Sequence, residues 1–168
     1  MDRFKGSSMI NYVEKGTELH QAIRQVGYWL KEENGIWISS DDVAVQQIID
    51  SFNPIPSRQD AKWEEIKTER DRRQVLGVVI GTKKFHSDPA SRIQQLGLVL
   101  MGANIPVNLQ WKTMDGSFVS MTPTLAEQIF SATASSDQAI FAAAEVHKAN
   151  MMASANPQTY DFSNGWPT

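Results

Sequence analysis

The sequence contains no cysteine, which removes disulfide staples, thiolate metal sites and thiol nucleophiles together and fits a reducing compartment. Histidine is scarce: His20, His86 and His147 are the only three. None stands in an H-x-x-x-H or H-E-x-x-H spacing, and no Asp-rich loop occurs, so no metal and no cofactor is expected. Positive charge is not in surplus. Sixteen Lys and Arg stand against 19 Asp and Glu, a formal net charge of -3, whereas binding to phosphates needs a cationic face; no nucleic-acid partner is expected. No apolar run approaches the ~20 residues of a membrane helix, and the N-terminus lacks the apolar core of a secretion signal, so no membrane partner is expected either. What is present is 168 residues, 41% of them hydrophobic, enough for one domain or two small units with cores of their own.

Catalytic signatures are also missing. His86-Ser87-Asp88 has the letters of a hydrolase triad, but adjacent residues do not converge as a triad must, and no G-x-S-x-G elbow accompanies them. They read as a strand end followed by a helix cap. Gly77-x-x-x-Gly81-Thr-Lys83 has neither the spacing nor the order of a phosphate loop, and reads as a hairpin turn. Glu64 and Glu65 point different ways on a helix. No catalytic residue is assigned, and the chain is not expected to be an enzyme.

The pattern along the chain predicts an α+β fold of repeated two-stranded hairpins, each followed by a capped helix, with a long C-terminal helix. Residues 1–8 read as a leader outside the fold, disordered or added. Residues 9–54 form a small N-terminal α+β module. In it Thr17 caps a helix through Leu19, Ile23 and Val26, and Asn34-Gly35 turns a hairpin whose arms carry Trp29 and Trp37 as a cross-strand pair. A helix with Val43, Ile48, Ile49 and Phe52 ends at Pro54. Pro54 and Pro56 mark a boundary. Residues 55–153 hold a charged helix from about Ser57 to Val75, where Glu69 pairs with Arg73. Two further hairpins follow, around Gly81 and Asp115-Gly116. Ser87 or Asp88 caps a helix burying Ile93, Leu96, Val99 and Leu100. Thr122-Pro123 opens a long Ala-rich helix to about Met152, with Leu125, Ile129, Phe130, Ile140, Phe141 and Ala144 on its apolar stripe and Ser135-Ser136 as a possible interruption. Residues 154–168 read as an extended aromatic tail.

Charge is uneven: the balance is -3 over residues 1–57, +3 over 58–92 and -3 over 93–168. The charged middle helix and the aromatic tail are therefore the candidate contact surfaces for a partner, with Arg58, Lys62, Arg70, Arg73, Tyr160, Phe162 and Trp166 as the named residues. Trp166 has two readings, folded back on the core or anchoring a partner. As a docking tail, residues 157–168 would be removable at the expense of partner association while the fold stays largely intact. Trp29, Trp37 and Trp111 read as packing residues, with a carbohydrate- or base-stacking platform as the alternative.

Ile66-Lys-Thr-Glu-Arg-Asp-Arg-Arg73, Lys84-Phe-His-Ser-Asp88, Ser91-Arg-Ile-Gln94, Gln110-Trp-Lys-Thr113 with Asp115-Gly116, Thr122-Pro123 and the closing Tyr160-Asp-Phe-Ser-x-Gly-Trp166 stand out together. This stretch resembles a domain of unknown function that recurs in tailed-bacteriophage and prophage proteins, often encoded beside tail-fibre genes. The stretch from Tyr28 to Phe52 is similar to a short module that often precedes it. The resemblance implies a tail-associated structural or adaptor protein acting by protein–protein contact with a tail or tail-fibre protein or with copies of itself. A tail-fibre assembly chaperone absent from the virion is the alternative, and a carbohydrate-binding component of the receptor-recognition apparatus is a third. Each implies a location on the virion tail or in the host cytoplasm during assembly.

Overall fold

The computed structural model describes residues 10–167; the expected leader lies outside them. The architecture is mixed α+β, with five α-helices and three separate antiparallel hairpins among the described residues. The chain divides into two compact units that meet in sequence at Arg58 and Gln59. The expected boundary at Pro54–Pro56 lies a few residues before that point, where a helix, Ile55–Gln74 (α3), begins. Pro56 stands in its first turn, where a missing N–H leaves no hydrogen bond unmade. No helix among the described residues is long and apolar enough to cross a membrane.

In the first unit, helix α1 (Thr17–Gln25) precedes strands β1 (Leu30–Glu33) and β2 (Ile36–Ser39), and helix α2 (Asp42–Ser51) follows. Thr17 is the first helical residue and Gly16 takes the cap position, with no side-chain cap bond. Asn34 at φ 53 and Gly35 at φ 76 close the hairpin, the two positive values that match the strands' right-handed twist. Asp41 caps α2 by accepting from the Ala44 N–H at 3.0 Å. Ile10, Leu19, Ile23, Leu30, Val45 and Ile49 form the core, while Val26 and Val43, expected in the helix stripes, face outward. The expected Trp29–Trp37 pair is not formed. Trp37 lies opposite Glu32 and stacks on Tyr12 at 3.8 Å, and Trp29 precedes the strand with Lys31 5.4 Å over its ring.

The second unit continues along α3 into strands β3 (Val78–Ile80) and β4 (Lys83–Phe85), helix α4 (Pro89–Met101), strands β5 (Gln110–Lys112) and β6 (Phe118–Ser120), and helix α5 (Pro123–Met152). Gly81 stands first in the β3–β4 turn at φ 61, the position a II′ turn reserves for glycine. Asp88 caps α4 by accepting from the Ser91 N–H, and Thr122 caps α5 by accepting from the Leu125 N–H, each with Pro behind it. The 30-residue α5 runs without interruption past Ser135-Ser136, because Ala126, Ile129, Thr133, Ile140, Ala144, His147 and Met151 keep one stripe buried along its length. Phe130 and Phe141, expected on that stripe, are substantially exposed.

The two hairpins are tied at their turns. Asp115 accepts from the hydroxyls of Thr113 (2.6 Å) and Ser117 (2.7 Å) and from Lys83 Nζ (2.9 Å). These bonds, Thr113 and Ser117 first, hold its carboxyl well below the usual carboxylate range. Met114 N–H donates to the Lys84 carbonyl at 2.8 Å. The approach is close enough that a Cβ on Gly77, at φ 91, would sit on Met114 Sδ and 2.6 Å from the Phe85 carbonyl.

Helix α4 follows the expected burial at Val99, which packs against the core, and departs from it at the other three positions. Gln95 is 1% exposed, its side chain donating to the His86 carbonyl at 2.7 Å. Ile93 is 73% exposed, Leu96 43% and Leu100 79%. The inward face is set by Leu98 and Gln95, because the hairpin end at His86 needs an amide donor there.

Candidate functional site

The lysines and arginines of α3 recur at helical spacing, and the tail brings three aromatic residues within seven positions. The structure brings these two groups together, and against each other. Lys62 is buried, its ammonium 2.6 Å from Glu65 and 5.5 Å over the Phe162 ring. Arg73 pairs with Glu69 at 2.7 Å and lies 5.0 Å over the Trp166 ring. Arg70 contacts Asp71 at 2.7 Å and lies 4.7 Å over Phe141, covering part of that otherwise exposed ring. Trp63 sits between Lys148 at 4.7 Å and Lys67 at 6.0 Å. Arg58, in the first unit, donates to Glu18 at 2.9 Å. The cations expected to meet a partner are engaged within the chain.

The tail is correspondingly not extended. Residues Pro157–Thr159 make a 3-10 turn with Pro157 buried. Tyr160, Phe162 and Trp166 then pack against Ile66, Ala144 and Met151. Trp166 Nε1 donates to the Phe162 carbonyl at 2.7 Å, and Tyr160 Oη shares a hydrogen bond of 2.9 Å with His147 Nδ1. Of the two readings of Trp166, the structure shows the folded-back one.

His147 is enclosed by this tail, with the Trp166 ring centroid 4.9 Å away and Nε2 buried without a hydrogen-bond partner among the described residues. Burial pushes its pKa down and Arg73 adds to that, against raising contributions from the Asn164 backbone and Asp161. The folded state therefore binds a proton on His147 less readily than the unfolded state does. Its contribution to stability is present above the ordinary histidine range of about 6.5 and is lost as pH falls below it toward the folded value. Thermal melts between about pH 7.5 and about pH 5.5 are expected to show a falling melting temperature that His147→Gln flattens. An equal slope in both proteins would overturn this assignment.

Two surfaces on the second unit stand apart from these contacts. One is the outward stripe of α4. Arg92 is the only charged residue on that helix, and its guanidinium is bound to Asp137 and to the carbonyls of Ser87 and Gln74. The other is an open groove of about 240 Å³ bounded by His86, Ser91, Gln94, Gln110, Trp111 and Lys112. The sequence reading looks for Trp111, His86 and acidic residues in one open cleft; the groove brings Trp111 and His86 together, with no acidic residue in its lining. Gln94, Gln110 and Lys112 stood out only within the stretches that carry the family resemblance, and no spacing rule joined them, because they lie on α4 and β5 and meet only at the groove.

The family relation follows the same part of the chain. The sequence model of a domain of unknown function, DUF4376, matches residues 57–164, from the first turns of α3 through most of the docked tail. The chain belongs to this family. No curated protein and no solved structure matches it.

Proposed function

We propose that the chain is a bacteriophage tail-associated structural or adaptor protein that works by protein–protein contact and pairs with a second copy of itself through α4. The phage setting rests on the sequence resemblance. The outward stripe of α4 carries the contact reading. Ile93, Leu96 and Leu100 fall on one side of the helix, and no charged side chain interrupts them. A two-fold axis near Leu96 and Gly97 sets Ile93 of one copy against Leu100 of the other without opposing like charges. Gly97 has nothing within 4 Å of where a Cβ would stand, so two helices can approach closely there.

Phe130 on α5, 42% exposed, and Met101 at 41% extend the apolar surface. With the α4 stripe they present on the order of 500 Å² per copy, so a symmetric pair buries about the 1,000 Å² that a specific interface requires. Leu100→Glu is expected to convert the dimer to monomer in analytical ultracentrifugation with the helical circular dichroism unchanged, since Leu100 is 79% exposed in the single chain, and to remove the concentration dependence of the melting temperature that pairing gives the parent. A monomeric parent protein at tens of micromolar would overturn the pairing.

Quantitative mass spectrometry of purified particles tests the setting. Stoichiometric presence beside the tail-tube protein is the expected result. Abundance in infected lysate with absence from particles would make the chain an assembly factor instead.

A further inference from the structure

We propose that the groove beside Trp111 is a saccharide-binding site, with Trp111 as the stacking platform and Gln94, Gln110, His86 and Lys112 as the polar contacts. The proposal is independent of the α4 pairing. It starts from how differently the five tryptophans are placed. Trp29 lies under Lys31, Trp37 on Tyr12, Trp63 under Lys67 and Lys148, and Trp166 under Arg73 and beside His147. Trp111 has no ring or cation partner and no side-chain hydrogen bond among the described residues. It is half-buried, packed on one side against the core of Phe85, Leu98 and Met121, and it borders the groove.

The same holds for its neighbours. The side chains of His86, Gln94 and Lys112 make no hydrogen bond or ion pair among the described residues, and Gln110 uses only its Nε2 amide, toward Asn108 and Ser120. Three unengaged side chains and the free carbonyl oxygen of a fourth, Gln110, thus surround one indole. β5 pairs only with β6 among the described residues, and the groove is lined by Ser91 and Gln94 of α4 together with Gln110, Trp111 and Lys112 of β5.

The chemistry of the lining selects the ligand. A pyranose ring has an apolar C–H face that lies on an indole and a rim of hydroxyls that bond to amides, imidazole and ammonium. The volume of about 240 Å³ is below the ~300–1,000 Å³ of drug-sized pockets and suits a single ring. No acidic side chain borders the groove, and Lys112 favours a sugar with an acidic substituent. Packing fixes Trp111 before binding, so little rotamer entropy is lost when a ligand arrives.

The test is an NMR titration of the full chain that follows the Trp111 indole N–H. The probes are N-acetylneuraminic acid, glucuronic acid oligomers, maltotriose and chitotriose, with an oligothymidylate as the nucleobase control. At least one saccharide is expected to shift the Trp111 signal, the acidic sugars more than the neutral ones. Gln94→Ala and Lys112→Ala are expected to weaken that binding about tenfold. Both positions are exposed, so their melting temperatures should match the parent, which separates lost contact from lost fold. Trp111→Phe, which keeps the core side filled, should weaken binding further. No shift with any saccharide at about 10 mM overturns the proposal. So does a shift produced by the oligothymidylate alone, or saccharide binding that survives Gln94→Ala and Lys112→Ala unchanged.

Discussion

Deleting residues 157–168 is expected to lower the melting temperature of the second unit by at least about 10 °C and to reduce its helicity. The segment covers Ile66, Ala144 and Met151 with Tyr160, Phe162 and Trp166. Removing it exposes those three residues to water and leaves Lys62, Arg73 and His147 without their aromatic neighbours. Once the ordering entropy of the segment is set against the apolar area it buries, the net loss is about 4 kcal/mol. That is a large share of the ~5–15 kcal/mol of a typical domain. For a unit of roughly 100 residues each kcal/mol moves the midpoint by about 4 °C or more. Circular dichroism at 222 nm through a thermal ramp is the measurement. A truncated chain that keeps its helicity and melts within a few degrees of the parent would show the tail to be a removable arm. Trp166→Ala alone should reproduce roughly half of the effect, since it removes the ring between Arg73 and His147 and the Nε1 bond to Phe162.

This reverses what the tail's composition suggests, and the reason is physical. Asn156-Pro-Gln-Thr-Tyr-Asp-Phe-Ser-Asn-Gly-Trp166 has no helical or strand period, so no local rule assigns it a face. Its place comes from a surface made elsewhere, the cationic side of α3 and the far end of α5. Charge on a helix is usually solvated, and nothing in Arg58 to Arg73 read alone says that Lys62 and Arg73 lie under aromatic rings. Local chemistry was legible where it is self-sufficient. Asn34-Gly35, the Asp88 and Thr122 caps with their prolines, and the Gly81 turn all act within a few residues, and the hairpin–helix order follows from them. The buried face of α4 was legible only at Val99. Ile93, Leu96 and Leu100 have the spacing of a core stripe, but Gln95 and Leu98 point inward because the His86 carbonyl needs a donor. The same stripe then becomes the candidate contact surface. The Trp111 groove was half legible, through its aromatic and its histidine. Gln94 and Gln110, which complete it, stood out only as part of the resemblance, since no local rule brings a residue of α4 to the same groove as one of β5.

Arg92→Ala is expected to cost about 3 kcal/mol, visible as a shift in the urea midpoint at unchanged slope. Arg92 holds three segments at once. It donates to both carboxylate oxygens of Asp137 on α5, to the Ser87 carbonyl ahead of α4, and to the Gln74 carbonyl at the end of α3. Ser87 reinforces the same junction, its hydroxyl donating to the Gln74 carbonyl at 2.6 Å and accepting from the Gly77 N–H at 2.9 Å. The Arg92 and Asp137 side chains are 30% and 23% exposed, so solvent screens the pair only in part. Removing the guanidinium leaves a largely sheltered carboxylate and the Ser87 carbonyl short of donors, while the Gln74 carbonyl keeps the Ser87 hydroxyl, which is why truncation costs more than the net worth of the pair. Arg92→Lys is expected to recover little, because one ammonium cannot reach both Asp137 oxygens and two carbonyls on different segments. Asp137→Asn should cost less than Arg92→Ala, since the two carbonyl bonds survive. A double-mutant cycle between Arg92→Ala and Asp137→Ala should give a coupling of about 1–2 kcal/mol. A coupling near zero would mean that the carboxylate is solvated and that Arg92 acts only through the backbone carbonyls that join α3 to α4.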